Sequence, residues 1–154
     1  MDALTFSMSG APRGKGRPRA AVRGQHATIY TDANTRKYEA SVARLAKMAM
    51  NGQDPFTGAL SVSLRFRIQP PKSMPKRERA AVLAGEQAYA GRFDIDNLAK
   101  SVLDACNSIC FVDDKQVMRL FAVKVASERP GVDVKIMPLE PQGISLANID
   151  RMDF

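Results

Sequence analysis

Leu60-Ser61-Val62-Ser63-Leu64-Arg65-Phe66-Arg67-Ile68 alternates without a break, apolar at the even positions and polar at the odd ones. In extended chain every second side chain shares a face, so this is a half-buried strand whose polar side carries Arg65 and Arg67. Pro70-Pro71 stops it, since proline has no N–H for a ladder. Upstream, Asn51-Gly52 closes a helical stretch from about Ala33 to Met50. There Tyr38, Val42, Leu45 and Ala49 share one face, and Asp32 stands ready to cap. Leu4, Phe6 and Met8 alternate with Thr5 and Ser7 as a further strand. Between them, Gly10 to Arg19 holds too much Gly and Pro for regular structure and reads as a basic loop, and Thr28-Ile29-Tyr30 reads as a short strand.

Downstream, a short helix starts at Ser73 or Met74 with Pro75 in its first turn and ends at Gly85. A helix from about Asn97 to Asn107 buries Leu98, Val102 and Ala105, with Asp96 as its cap. Val117 to Ala126 reads as a strand. Arg129-Pro130-Gly131 reads as a turn, and Val132, Val134 and Ile136 as the returning strand of a hairpin. No repeat or domain-sized linker interrupts the chain. This order predicts one α+β domain over residues 1–137, with helices packed on a mixed sheet. The pattern fades over 138–154, which reads as a loose arm or a partner-binding tail.

The 154 residues are 45% apolar, enough for one domain with a real core. No apolar run is long enough to cross a bilayer, and the first residues lack a secretory pattern, so the expectation is a cytoplasmic protein without a membrane partner. Cys106 and Cys110 have no second cluster with which to build a zinc site, and His26 is the lone histidine; both cysteines are expected to be packing residues. The net charge is +7, which favours a nucleic-acid partner. Its distribution is uneven. Arg13, Lys15, Arg17 and Arg19 occupy one stretch without an acid, and Arg65 and Arg67 lie on the polar strand face. These six are the candidate phosphate contacts. The acids gather elsewhere, at Asp94, Asp96, Asp104, Asp113 and Asp114.

Asp94-Ile95-Asp96-Asn97-Leu98-Ala99-Lys100, followed by Asp113-Asp114-Lys115-Gln116, carries the candidate chemistry. In extended chain Asp94 and Asp96 project to one side. Convergent carboxylates repel unless a cation joins them, and hard oxygen ligands suit Mg²⁺ or Mn²⁺. Such an ion can polarise a phosphodiester and lower the pKa of a bound water. Lys100, one helical turn past Asp96, can stabilise developing charge on phosphate. The plainer alternatives are a helix cap at Asp96, an i,i+4 pair between Asp96 and Lys100, and a turn at Asp113-Asp114. Ser108 to Asp114 spans at most about 23 Å. Asp114 therefore rejoins the Asp94/Asp96 pair only if the loop doubles back along the helix; otherwise it meets the pair of a neighbouring subunit. A homodimer is expected in either case.

Asp94-x-Asp96-Asn97-Leu98-x-Lys100, then Asp104-Ala105, then Asp113-Asp114-x-Gln116-Val117, resembles the RusA family of Holliday junction resolvases. Gly10-x-Pro12-x-x-Lys15-x-Arg17-Pro18-Arg19 and Tyr30-Thr31-Asp32 with Thr35-Arg36 and Tyr38 resemble the opening of longer, phage-type members. The resemblance covers roughly Phe6 to Ile136. It implies dimers of mixed α/β fold that bind four-way junctions and make paired nicks with Mg²⁺ or Mn²⁺. It also implies catalytic roles for Asp94, Asp96 and Asp114, a functional role for Lys100, and Asp113 as an adjacent participant. Two positions depart from the family pattern: Arg92-Phe93 before the first aspartate, and Asn107-Ser108 at the helix end. Two rival expectations are a nuclease that prefers flaps or forks and a non-catalytic DNA-binding protein; a basic structural protein of a phage particle is a weaker one.

Overall fold

The computed structural model describes residues 2–16 and 19–149; for most of 19–30 and for 142–143 it describes the backbone alone. Among the described residues there are six strands: β1 (Leu4–Ser9), β2 (Arg19–Arg23), β3 (His26–Tyr30), β4 (Leu60–Ile68), β5 (Val117–Ala126) and β6 (Gly131–Pro138). The helices are α1 (Ala33–Met50), α2 (Lys76–Leu83), α3 (Ile95–Cys106) and the short α4 (Leu146–Ile149). Four strands form one mixed sheet in the order β1-β6-β4-β5, and β2 and β3 form a separate antiparallel hairpin. This is a small α+β domain, as the order of elements predicts.

The alternation at 60–68 has the expected cause. Leu60, Val62, Leu64 and Phe66 are buried beside Leu4 and Met8 of β1 and Val132, Val134 and Ile136 of β6. Two helices cover that face. Helix α1 contributes Tyr38, Val42, Ala46 and Met50, and α3 contributes Leu98, Val102, Ala105 and Cys106. The α1 stripe is shifted from the predicted one: Ala46 and Met50 are fully buried, whereas Leu45 and Ala49 are half-buried at its border. Cys106 and Cys110 are reduced and buried in this core, as expected of packing residues. Each large side chain so buried contributes roughly 1.5–3 kcal/mol.

The sheet order corrects one expectation. Strand β6 is not the hairpin partner of β5. It lies antiparallel between β1 and β4, while β5 pairs with β4 in parallel. Residues 127–130 carry the chain over the end of β4, where Ser127 N–H donates to the Ile68 carbonyl (2.9 Å) and Gln69 Nε2 to the Glu128 carbonyl (3.1 Å). A parallel pair needs a long crossover, usually helical; residues 69–116, with α2 and α3, supply it. Gly131 makes the β6 entry possible, because a Cβ there would stand 2.4 Å from the Met8 carbonyl oxygen.

Candidate active site

Helix α3 begins two residues earlier than predicted, at Ile95, and its N-cap is Asp94 rather than Asp96. The Asp94 side chain makes no capping bond, so its carboxylate is left to other partners. Asp96 lies in the first turn. Asp94 and Asp96 thus sit at the cap and within the first turn of a helix rather than alternating along extended chain, and both are exposed. The partial positive charge of a helix N-terminus favours carboxylates there. Lys124 on β5 secures the approach to this turn: its ammonium donates to the carbonyls of Ala90 (2.6 Å) and Phe93 (3.1 Å). The Phe93 ring carries two guanidinium groups, those of Arg13 (5.8 Å) and Arg92 (5.4 Å from the ring centre).

Asp113 and Asp114 lie at the other end of α3 and β5. The loop after α3 does not double back. Phe56 N–H donates to the Cys110 carbonyl (2.8 Å) and Ser108 N–H to the Phe111 carbonyl (2.8 Å), which keeps the chain at the helix C-terminus. Asp113 caps a 3-10 turn over Asp114–Gln116, accepting from Lys115 N–H (2.9 Å), while Gln116 Oε1 accepts from Asp113 N–H (2.9 Å). The Lys115 N–H leads the contacts that hold the Asp113 carboxyl below its usual range. Gln116 Nε2 also donates to the carbonyls of Phe56 and Gly58, 2.9 Å each. The Asp94/Asp96 pair therefore stands at the N-terminal end of α3 and Asp114 beyond its C-terminal end, the 12-residue helix being about 18 Å long. Among the described residues no three His, Cys, Asp or Glu side chains come together to hold a metal ion.

The candidate phosphate contacts divide sharply. Arg13 is folded inward, with Nε donating to Thr35 Oγ1 (3.2 Å) and Nη2 to Asp32 Oδ1 (3.3 Å). Lys15 pairs with Asp104 and stands 3.3 Å from Glu39 Oε1. Arg67 is held by the Arg129 carbonyl (2.8 Å) and Asp133 Oδ1 (3.3 Å). Arg65 also reaches Asp133 (2.7 Å), but its side chain stays 61% exposed. Arg17 and the side chain of Arg19 lie outside the described residues. Lys100 pairs with Asp104 Oδ1 at 3.2 Å, not with Asp96.

Two participants escaped the sequence reading, and a third was seen in it without a role. Lys124 acts over 31 positions of chain, which no local pattern signals. Asp133 was hidden by the hairpin assumption, which set β6 against the wrong neighbour. Asp104 had a visible signal, its i,i+4 spacing from Lys100.

A basic chain with paired carboxylates at a helix N-terminus, set beside a mixed sheet, has the makings of a nuclease. The family model described as endodeoxyribonuclease RusA matches residues 9–137. The chain belongs to this endodeoxyribonuclease family. It is also 30% identical over 138 residues, 88% of this chain and 96% of the relative, to the uncharacterized protein YqaN of Bacillus subtilis (strain 168). No helix among the described residues is long and apolar enough to cross a membrane.

Proposed function

We propose that the chain acts as a homodimeric, Mg²⁺-dependent endonuclease that resolves four-way DNA junctions and related branches by paired hydrolytic nicks. Family membership supports the nuclease chemistry. The layout of the acids about β5 supports the dimer and carries the reading. Strand β5 is the outer strand of the sheet and exposes Met118, Leu120 and Phe121. A long apolar edge strand is a template for pairing with another chain. A twofold axis pairs like strands in opposite directions. Antiparallel pairing of two β5 strands sets the start of one beside the end of the other. Asp114 precedes the start of β5, and the Lys124–Phe93 contact ties Asp94 to its end. One chain's Asp114 then approaches its partner's Asp94 and Asp96.

The donor set is all carboxylate oxygen, which suits Mg²⁺ or Mn²⁺. Asp94 and Asp96 of one chain with the partner's Asp114 would hold the ion, with Asp113 beside them. When bound, the ion supplies Lewis-acid polarisation of the phosphodiester and a more acidic water. Lys100 supplies a positive charge to the phosphate as its charge grows. Arg65, and the basic stretch holding Arg17 and Arg19, meet the DNA backbone; Arg13 and Lys15 anchor that stretch. Two such sites related by a twofold suit two symmetric nicks.

The test is incubation with a synthetic four-way junction, a fork, a flap and linear duplex, with and without Mg²⁺. Metal-dependent, symmetric nicks on the junction are expected. Preference for flap or fork would favour the first rival reading. Binding without cutting by the unaltered protein, in Mg²⁺ or Mn²⁺, would overturn the nuclease.

A further inference from the structure

Asp104 lies on α3, one turn beyond Lys100 and two beyond Asp96. Its carboxylate is divided between two ammonium groups. Oδ1 accepts from Lys100 Nζ at 3.2 Å, and Oδ2 pairs with Lys15. Lys15 is fixed in its turn. Its N–H donates to the Asn97 carbonyl (3.0 Å), and its ammonium stands 3.3 Å from Glu39 of α1. Gly14 lets the loop lie this close to α3, since a Cβ there would meet Phe93 Cδ1 at 2.9 Å. Burial opposes the charge on Lys15, but Asp104 and Glu39 more than offset it and raise its pKa.

Side chains on a helix lean toward its N-terminus, so an unrestrained Lys100 tends toward Asp96. There its ammonium competes with a cation for the same carboxylate oxygens. Asp104 draws it the other way. A lone exposed i,i+4 pair does this weakly, at a few tenths of a kcal/mol. Here the carboxylate is itself braced from behind, with the Asp104 side chain 22% exposed and Lys15 28%.

We infer that Asp104 is a positioning residue for DNA cleavage: it holds the Lys100 ammonium clear of Asp94 and Asp96 and open to the DNA phosphate, with Lys15 as its brace. The role rests on the reading of Lys100 given under Proposed function. No part of it requires Asp104 to touch DNA or metal.

The experiment compares Asp104→Asn, Asp104→Glu, Lys100→Ala and the double variant Asp104→Asn/Lys100→Ala in the full-length protein. Single-turnover junction cleavage is measured in Mg²⁺ and junction affinity in Ca²⁺. Asp104→Asn is expected to slow cleavage by about 10- to 100-fold. Junction affinity should hold or tighten, because a negative charge leaves a DNA-binding surface. Asp104→Glu should recover most of the rate. Once Lys100 is gone, Asp104→Asn should change nothing further, since coupled residues are not additive. A full-speed Asp104→Asn variant overturns the role, as does an equal loss on the Lys100→Ala background. Loss of junction binding and thermal stability in step with rate also overturns it, marking Asp104 as merely structural. If the unaltered protein cuts no branched DNA, the nuclease reading falls first and takes this role with it.

Discussion

Lys124, on β5, donates to the carbonyl of Phe93, the residue before Asp94, at 3.1 Å. This contact fixes which end of the outer strand the Asp94/Asp96 pair belongs to. It also places that pair on the far side of α3 from Asp114. Lys124→Met should therefore loosen the approach to Asp94 and slow junction cleavage by about tenfold or more, since small misplacements of reacting groups are costly. Junction binding should be unaffected. Single-turnover cleavage and band-shift titration measure the two separately, and an unchanged cleavage rate would count against the contact's importance.

Arg65 and Arg67 share a strand face but should behave differently. Arg67 is 21% exposed and braces the end of β6 through Arg129 and Asp133. Arg67→Met should lower stability by about 1–3 kcal/mol, as for a lost hydrogen bond from a charged group. Arg65→Met should cost little stability. It should instead reduce the slope of log junction affinity against log salt by about one. Denaturant melts and salt titrations of both variants decide it.

The exposed edge of β5 should govern assembly. Phe121 is 61% exposed and Leu120 46%. Phe121→Glu combined with Leu120→Lys puts charge on an edge that otherwise invites pairing. The variant should sediment as a monomer, keep its circular dichroism and lose cleavage. A monomeric variant that cuts at the normal rate would argue against shared sites.

Asp32 makes the N-terminus of α1 sensitive to acid. Its bond from Thr35, the Asn34 N–H and the guanidinium of Arg13 outweigh burial and hold its pKa at about 2, against an ordinary 3.8. A depressed carboxylate pKa means stability that is complete above pH 3.8 and drains as pH falls through 2. The melting-temperature gap between the unaltered protein and Asp32→Ala should be widest at neutral pH and narrow between pH 4 and 2. A gap that is constant across that range would contradict the assignment.

The sequence made the elements legible where one face is buried. The alternation of Leu60 to Ile68 and the stop at Asn51-Gly52 reappear in the fold at the same residues. The start of α3 was less legible, because Asp94 and Asp96 are both good caps and spacing alone does not choose between them. The sheet order was illegible for a clearer reason. A short turn between β5 and β6 looks the same whether the strands pair directly or flank a third, and only the shared use of β4 decides. The acids themselves were legible as residues. Their separation was not, since it depends on Phe56 pinning the loop after α3. Likewise the local runs showed Arg13 and Lys15 as basic, but their acids, Asp32, Glu39 and Asp104, lie far along the chain.

The most direct test mixes two inactive variants, Asp94→Asn and Asp114→Asn, after unfolding and refolding them together so that mixed dimers form. If each site takes Asp94 and Asp96 from one chain and Asp114 from the other, a mixed dimer has one site with both substitutions and one intact site. It should nick junctions once, in Mg²⁺, although each variant alone is inactive. If the mixture is as inactive as its components while mixed dimers are present, each site belongs to a single chain, and the pairing of β5 strands as the basis of catalysis is wrong.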